Sequence, residues 1–233
     1  MRAGAAEATS APGPGKRAGI DSGGTLNPWL EGRLFRLSAD GVDRALDLGC
    51  GRGFWLRRME AAGMAPVGLE YDPVRAVDAL RQAPTAAGDA ARLPFRTGSI
   101  DLVLSIHVLH HLPDPEAVLV EVKRVLRPGG YLVLAETVED NPVIRLGRRV
   151  HPHWDGVDVH SRFRAATLLG LLDGAGLDVV DHRQHSLLSF AAWALPVADR
   201  WAWSTLLRAE SALPSWLGRW GAHLECVARA PWT

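Results

Sequence analysis

The sequence has few cysteines, no net charge and no long hydrophobic run. Its 233 residues include two cysteines, Cys50 and Cys226. Two cysteines argue against a disulfide framework and are typical of a reducing compartment, so we expect a cytoplasmic protein. Lys plus Arg and Asp plus Glu number 26 each, which gives a formal net charge of zero. Without clustered positive charge, the electrostatic argument for a nucleic-acid partner is lost.

The longest apolar run extends from Leu187 to Val197 and is interrupted by Ser189. It is well short of the roughly 20 residues of a membrane-spanning helix, which leaves a buried or interfacial segment. The first 20 residues are rich in Ala, Gly and Pro and contain no apolar core of a signal peptide. We therefore expect residues 1–20 to be a disordered tail and residues 21–233 to be a single domain.

Hydrophobic periodicity predicts strands that alternate with helices. Such alternation implies parallel strands joined by helical crossovers, hence an α/β sheet with helices on both faces. The predicted strands are 44–48, 66–69, 85–88, 100–106, 131–135, 177–181 and 223–230, and the predicted helices are 29–37, 54–62, 72–80, 115–125 and 161–175.

A glycine-rich turn lies between the first strand and the helix that follows it. Its glycines are Gly49, Gly51 and Gly53, a G-x-G-x-G spacing that begins just after Asp47. A strand–turn–helix segment brings backbone N–H groups and a helix N-terminus to one point, and glycine lets a ligand approach the backbone. Dinucleotide enzymes use G-x-G-x-x-G instead, whereas Phe54 and Trp55 follow the turn here and no third glycine stands at the dinucleotide position.

Acidic residues follow the next two predicted strands. Glu70 ends the second strand, where a carboxylate can accept hydrogen bonds from both hydroxyls of a ribose. Asp89 follows the third strand and can accept a hydrogen bond from an adenine amine. Alone, Glu70 could be a solvated loop acid and Asp89 a helix N-cap. Their order after a glycine turn favours a nucleoside ligand.

These segments resemble the class I methyltransferases that use S-adenosylmethionine (SAM), and more closely their type 11 group, which includes the ubiquinone and menaquinone methyltransferases. The resemblance covers roughly residues 43–135. The matching segments are Ala45-Leu-Asp-Leu-Gly-Cys-Gly-Arg-Gly53, Gly68-Leu-Glu-Tyr-Asp72, Gly88-Asp-Ala-Ala-Arg-Leu-Pro-Phe95, Ser99-Ile-Asp-Leu-Val103, Val108-Leu-His-His-Leu-Pro-Asp-Pro115 and Leu126-Arg-Pro-Gly-Gly-Tyr-Leu132.

The resemblance implies SAM as cofactor, a Rossmann-like sheet of seven mostly parallel strands with an antiparallel last strand, and a set of binding residues. It places Asp47 near the amino group of the methionine part, and Glu70 on the ribose. The other implied positions are the backbone of Gly49, Cys50, Gly51 and Gly53 beside the methionine part, Tyr71, Asp72, Asp89 and Ala90 around the adenine, and Ser105 and Ile106 beside the sulfonium and the acceptor.

Three histidines follow the fourth strand, where the methyl group is expected. Imidazole can take a proton near neutral pH, so His107, the nearest to the strand end, and His110 are candidate general bases. A base is needed only for a poorly nucleophilic acceptor, and His110-His111 could equally be a loop that packs against the next helix. We predict no metal site, because the pair His151 and His153 lacks a third ligand at a recognised spacing. A loop over residues 151–160 that closes on the acceptor is the preferred interpretation.

Residues 186–221 depart from the resemblance, because they are long and rich in tryptophan. The tryptophans could pack on the core, or they could form a lid or a peripheral membrane surface for a lipophilic acceptor. The expected function is methyl transfer to a small apolar acceptor such as a quinone, a lipid or a secondary metabolite. The alternatives are a SAM-binding regulatory protein without catalysis and, less favoured by the turn, an NAD-dependent oxidoreductase.

Overall fold

A computed structural model describes residues 28–150, 159–187, 205–206, 209–210 and 212–232. The predicted tail over residues 1–20 therefore lies outside the described residues, as do most of the loop 151–160 and the core of the tryptophan-rich segment 186–221. None of the helices in the described ranges is long and apolar enough to cross a membrane.

The described residues include seven strands, which form one sheet in the order β3-β2-β1-β4-β5-β7-β6, and six α-helices between residues 28 and 174. Strands β1 to β5 pair in parallel, whereas β7 is antiparallel to both β5 and β6. The predicted fold class is thus confirmed. The strands are β1 Arg44–Leu48, β2 Ala65–Glu70, β3 Thr85–Ala87, β4 Ile100–Ile106, β5 Leu126–Thr137, β6 Asp178–His185 and β7 His223–Arg229, and the helices are α1 Pro28–Ala39, α2 Phe54–Ala61, α3 Pro73–Ala79, α4 Pro115–Val125, α5 Pro142–Val150 and α6 Ala165–Gly174.

The apolar residues of the central strands pack on both faces of the sheet. On one face, Val118 and Val122 of α4 and Leu168 of α6 join a cluster with Leu46 and Leu132. On the opposite face, Leu30 and Leu34 of α1 and Met59 of α2 pack with Leu104 and Val133. Since both faces are covered, the central strands are buried almost throughout, as the consecutive buried residues of β4 from Ile100 to Ser105 indicate.

Several predicted bounds differ from the structure, and strand β6 extends to His185 where the prediction ended at residue 181. Strand β5 begins at Leu126 and continues through the predicted turn at Pro128, with a register shift against β4 between Ile100 and Leu102. Helix α6 begins at Ala165 and not at residue 161, because Phe163 forms a bridge to Val138 and holds the preceding chain extended. Helix α5 is absent from the sequence prediction.

The strand order reverses between β1 and β4, since β2 and β3 lie on one side of this pair and β5 on the other. Open α/β sheets bind ligands at such a switch point, in the crevice beyond the carboxyl ends of the strands. The predicted binding residues lie in the last residues of β1, β2 and β4 or in the segments just after β1, β2 and β3, so the topology brings them together at this edge.

Candidate functional site

The glycine-rich turn after β1 uses its own N–H groups within the protein. The N–H groups of Gly49 and Cys50 donate to the carbonyl oxygen of Leu69 at 2.8 and 3.1 Å, and that of Gly51 donates to Oε2 of Glu70 at 2.8 Å. The expected convergence of N–H groups on a ligand is therefore not what the turn provides. Donors that are already engaged make a poor phosphate site, which counts against the dinucleotide alternative.

Two glycines of the turn have different surroundings. Gly49 adopts φ +68°, and a Cβ built on it would lie 2.6 Å from Cγ2 of Val108. Gly51 adopts φ +56°, and no heavy atom of the described residues lies within 4 Å of a Cβ built there. Gly49 is thus fixed by packing, whereas Gly51 faces open space into which a ligand can come.

Asp47 is a buried carboxylate with an unused oxygen. Its residue is 2% exposed, and its Oδ2 has no hydrogen-bond partner among the described residues. Burial, and then the negative charge of Glu70, raise the pKa of Asp47 well above its usual range. An unpaired buried carboxylate is costly, and a cationic ligand next to it would remove that cost. The residues present therefore fit a ligand that carries positive charge, as the methionine part of SAM does.

Glu70 connects the turn to the start of α3. Besides Gly51, its carboxylate accepts a hydrogen bond from the N–H of Asp72 at 3.0 Å. Because a carboxylate has about four acceptor positions, Glu70 keeps capacity for ribose hydroxyls. The sequence placed this acid correctly at the carboxyl end of β2.

The residues predicted to surround the adenine lie beside Glu70. Tyr71 is 81% exposed, and the Asp72 side chain caps α3 by accepting from the N–H of Val74 at 2.8 Å. Asp89 is exposed just past β3 and accepts from the N–H of Ala91 at 2.9 Å. Asp72 therefore caps α3, whereas Asp89 stabilises a turn and not the helix N-terminus that was its alternative in the sequence. The contact of both residues with adenine stays a prediction.

The remaining residues predicted to lie near SAM are Cys50, Gly53, Ser105 and Ile106. The thiol of Cys50 is buried under the turn, and burial, followed by the charges of Asp47 and Glu70, raises its pKa to about 12. Gly53 starts α2 at φ +85°, close to α3. Ser105 lies near the end of β4 with its Oγ buried and without a partner among the described residues. Ile106 is partly buried against the α1 side of the sheet.

Four histidines lie at the same edge of the sheet, on the side of β4 away from β1. Their spatial order is His110, His107, His223 and His185. We call them the histidine row. Successive ring centroids are 6.2, 5.5 and 5.5 Å apart. Burial lowers the pKa of His107, and burial together with the neighbouring His107 and His185 lowers that of His223 further. The row lies where the resemblance places the methyl acceptor.

Each end of the histidine row contacts a buried glutamate. Glu136, which is 0% exposed, accepts from Nδ1 of His110 and from the N–H of Leu109, both at 2.7 Å. Burial raises the pKa of Glu136, but the His110 hydrogen bond and nearby histidines outweigh it and keep this pKa below its ordinary value. At the other end, Glu225 lies 3.0 Å from Nε2 of His185.

The sequence interpretation missed both glutamates, His185 and His223. Glu136 follows the apolar run of β5, and His223 begins β7, so both stand at the same sheet edge as Glu70. A search for polar residues at every strand end would have found them. The predicted loop at 151–160 lies outside the described residues except for Val159 and His160. The N–H of His160 donates to the carbonyl oxygen of His110 at 2.9 Å.

Comparison with known proteins identifies relatives of this chain. The family model described as "Methyltransferase domain", of type 11, matches residues 46–134. An uncharacterized methyltransferase from Mycolicibacterium gilvum is 32% identical over 189 residues, which cover 78% of this chain and 69% of that protein. A demethylmenaquinone methyltransferase from Lactobacillus johnsonii is 29% identical over 180 residues, which cover 72% of this chain and 69% of that protein.

The fold also recurs among solved structures. A SAM-dependent methyltransferase from Methanosarcina mazei superimposes with a TM-score of 0.62 at 18% sequence identity, over 89% of this chain and 99% of that chain. The arrangement of seven strands with an antiparallel seventh is therefore the arrangement of this group of enzymes.

Proposed function

This chain belongs to the SAM-dependent methyltransferases, and from that premise we propose that it transfers the methyl group of SAM to a small apolar acceptor of the quinone type. The main support for SAM as the methyl donor is the buried carboxylate of Asp47, whose Oδ2 is without a partner among the described residues. The proposal of a quinone-type acceptor is supported by two relatives that are named demethylmenaquinone methyltransferases.

The protein's own groups would hold and orient SAM. Asp47 would bind the amino group, Glu70 the ribose hydroxyls, and the open space in front of Gly51 would take the methionine part. Bound SAM supplies a methyl group that its sulfonium already activates for in-line displacement. The protein is then left to align the acceptor, and alignment alone can contribute on the order of 7–11 kcal/mol in favourable systems.

The acceptor would lie between Ile106 and the histidine row. His107 and His110 are the proposed proton acceptors for an acceptor that reacts through a hydroxyl or a carbon atom. Peripheral membrane contact through residues 186–221 stays a prediction. In the described part of this segment, Trp216 and Trp220 are exposed, and the guanidinium of Arg219 lies 4.5 Å from the Trp220 ring centroid.

The test is methyl transfer from labelled SAM to a short-chain demethylmenaquinone in its reduced form, with product identified by mass spectrometry. We expect a singly methylated product with the wild type and a large loss of turnover with Asp47→Asn. A parallel reaction with a lysate extract covers acceptors of other classes. SAM binding without methyl transfer to any acceptor would instead favour the non-catalytic regulator.

The membrane prediction has its own test. Co-sedimentation with liposomes is measured for the full chain and for a variant that lacks residues 186–221. Equal sedimentation of the two proteins would contradict a membrane role for this segment.

A further inference from the structure

Three potential metal ligands meet at the acceptor end of the sheet. Among the described residues, His107, His110 and Glu136 form a group in which one ligand atom from each residue lies within 4.8 Å of the others. His107 directly follows β4, His110 belongs to the 3-10 turn Leu109–His111, and Glu136 lies near the end of β5. Because β4 and β5 are parallel neighbours, their carboxyl ends bring these side chains together.

The group is held in place by contacts that involve its backbone and its carboxylate. The N–H of His107 donates to the carbonyl oxygen of Ala135 at 2.8 Å, and the carbonyl oxygen of His110 accepts from Ser161 at 3.1 Å. Glu136 is anchored by the N–H of Leu109. A metal site needs this type of support, because hydrogen bonds to the ligands orient them before the ion binds.

A purely structural role explains only part of this arrangement. The hydrogen bond between His110 and Glu136 could serve to anchor the turn after β4. It does not explain His107, which adopts φ +56°, a backbone region that few residues other than glycine adopt. Residues in sparsely populated regions of this kind cluster at functional sites, where the surrounding structure maintains them. The backbone conformation of His107 brings a third potential ligand to the same point.

We propose that His107, His110 and Glu136 bind one divalent transition-metal ion at the acceptor end of the sheet. Two imidazoles and one carboxylate suit zinc, cobalt, nickel or iron, whereas magnesium and calcium prefer oxygen ligands throughout. Three protein ligands leave at least one position open, as in catalytic and not in structural sites. This departs from the sequence expectation of no metal, which considered only His151 and His153.

The position of the ion defines the acceptor further, an inference that rests on the proposed function. The open position would face the space next to Ser105 and Ile106, where the sulfonium is expected. An ion there binds oxygen ligands and lowers the pKa of a bound hydroxyl, whose proton then leaves to water. With the ion bound, the ion replaces His107 and His110 as the group that activates the acceptor, because the imidazole nitrogens that bind it cannot also take a proton. The acceptor is therefore an oxygen-bearing molecule, such as a quinol or another ring hydroxyl, that reaches the ion through its oxygen.

The test is a titration of the tag-free full chain with Co²⁺, followed by visible absorption and by calorimetry. We expect one equivalent to bind, with the absorption of a site that has nitrogen and oxygen ligands, and Zn²⁺ to displace it. His107→Asn, His110→Asn and Glu136→Gln should each weaken binding by at least roughly tenfold. Asparagine is chosen at position 107 because it tolerates positive φ.

Matched variants decide where the ion binds. His182→Asn replaces an exposed histidine on β6 and should leave the Co²⁺ affinity unchanged. Circular dichroism and SAM calorimetry on every variant separate loss of the metal site from loss of the fold, and they test the methyltransferase assignment independently. Absence of stoichiometric binding to the folded wild type would overturn the proposal. So would binding that survives the three ligand variants or that disappears in a His151→Asn, His153→Asn double variant.

Discussion

At the scale of the residue, Asp47 is expected to oppose stability in the free protein and to support binding. Asp47→Asn removes a buried carboxylate that lacks a partner for Oδ2 in the described structure. Burial raises the pKa of Asp47, so its ionised form destabilises the fold as pH rises above the ordinary value of 3.8. We expect the variant to gain on the order of 1 kcal/mol in the free energy of unfolding at neutral pH, because it cannot ionise.

The same variant should bind SAM at least roughly tenfold more weakly, a loss of about 1.4 kcal/mol, since a neutral amide cannot pair with the ligand's positive charge. Urea denaturation measures the first effect and calorimetry the second. A variant that loses stability while it keeps its SAM affinity would show that Asp47 serves the fold and not the ligand.

Glu225 is expected to have the opposite dependence on pH. Burial raises its pKa, but hydrogen bonds and charges from His185 and Arg183 outweigh burial and lower it from 4.5 to about 2. Because the folded pKa is the lower one, the stabilisation is complete above pH 4.5 and is lost as pH falls towards 2. At ~1.4 kcal/mol per pKa unit, it is on the order of 3 kcal/mol.

Glu225→Gln should therefore be less stable than the wild type at neutral pH, and this difference should shrink as the pH is lowered through this window. Urea denaturation at a series of pH values, followed by circular dichroism, gives the two profiles. Asp178→Asn is the control, because Asp178 is an exposed carboxylate at the other end of β6. Parallel profiles for wild type and Glu225→Gln would contradict the pKa shift.

At the scale of the element, the glycine turn after β1 combines a packing requirement with a binding requirement. Gly49→Ala should lower the free energy of unfolding by roughly 2–4 kcal/mol, because positive φ strains alanine and its Cβ would meet Val108. Gly51→Ala should lower it by only about 1–2 kcal/mol from strain, and it should also weaken SAM binding, since the new methyl group enters the ligand's space.

Gly98→Ala is the control that distinguishes the effect of backbone strain from an effect on SAM binding. Gly98 has φ +68°, and no described heavy atom lies within 4 Å of a Cβ built on it, but it lies in the turn before β4, away from the crevice. Its stability loss should equal that of Gly51→Ala, whereas its SAM affinity should equal that of the wild type. Equal SAM affinity of Gly51→Ala and Gly98→Ala would place the methionine part elsewhere.

Element boundaries were predictable where the signal is local. Strands β1 and β4 and helix α4 have the bounds that periodicity predicts, because Asp114 and the following proline mark the helix start and apolar runs mark the strands. Helix α5 carried a comparable signal that was overlooked. Asn141 precedes Pro142 and caps the helix by accepting from the N–H of Val143 at 2.8 Å.

Boundaries set by distant contacts could not be read from the sequence. Helix α6 starts late because two contacts with the distant segment after β5 hold the chain before it. Phe163 bridges Val138, and the carboxylate of Asp140 accepts from the N–H of Ala165 at 2.8 Å. The site residues likewise divide into those that local sequence motifs predict and those that only distant contacts bring together. Glu70 and Asp89 were recognisable from motifs, but the approach of Glu136 to His107 and His110 depends on the pairing of β4 with β5.

At the scale of the whole molecule, the sheet edge divides into two sides at the switch point between β1 and β4. An acidic side lies at the carboxyl ends of β1, β2 and β3 and consists of Asp47, Glu70 and Asp89. The histidine row lies at the carboxyl ends of β4 and β6 and at the start of β7. A cationic donor and a separate acceptor would thus meet above β4. A dinucleotide would have to place its pyrophosphate beside the acidic side, which is electrostatically unfavourable.

The acidic side of the sheet edge predicts which of the two ligands, SAM or NAD, stabilises the fold. A ligand at 100 times its Kd adds about 2.7 kcal/mol to the free energy of unfolding, which for a domain of this size raises Tm by roughly 5–10 °C. SAM should produce this shift in differential scanning fluorimetry, and NAD at the same concentration should produce none. Asp47→Asn should reduce the SAM shift, although its own Tm without ligand should be higher than that of the wild type. A shift with NAD that equals the shift with SAM would overturn the assignment of the acidic side to a cationic donor.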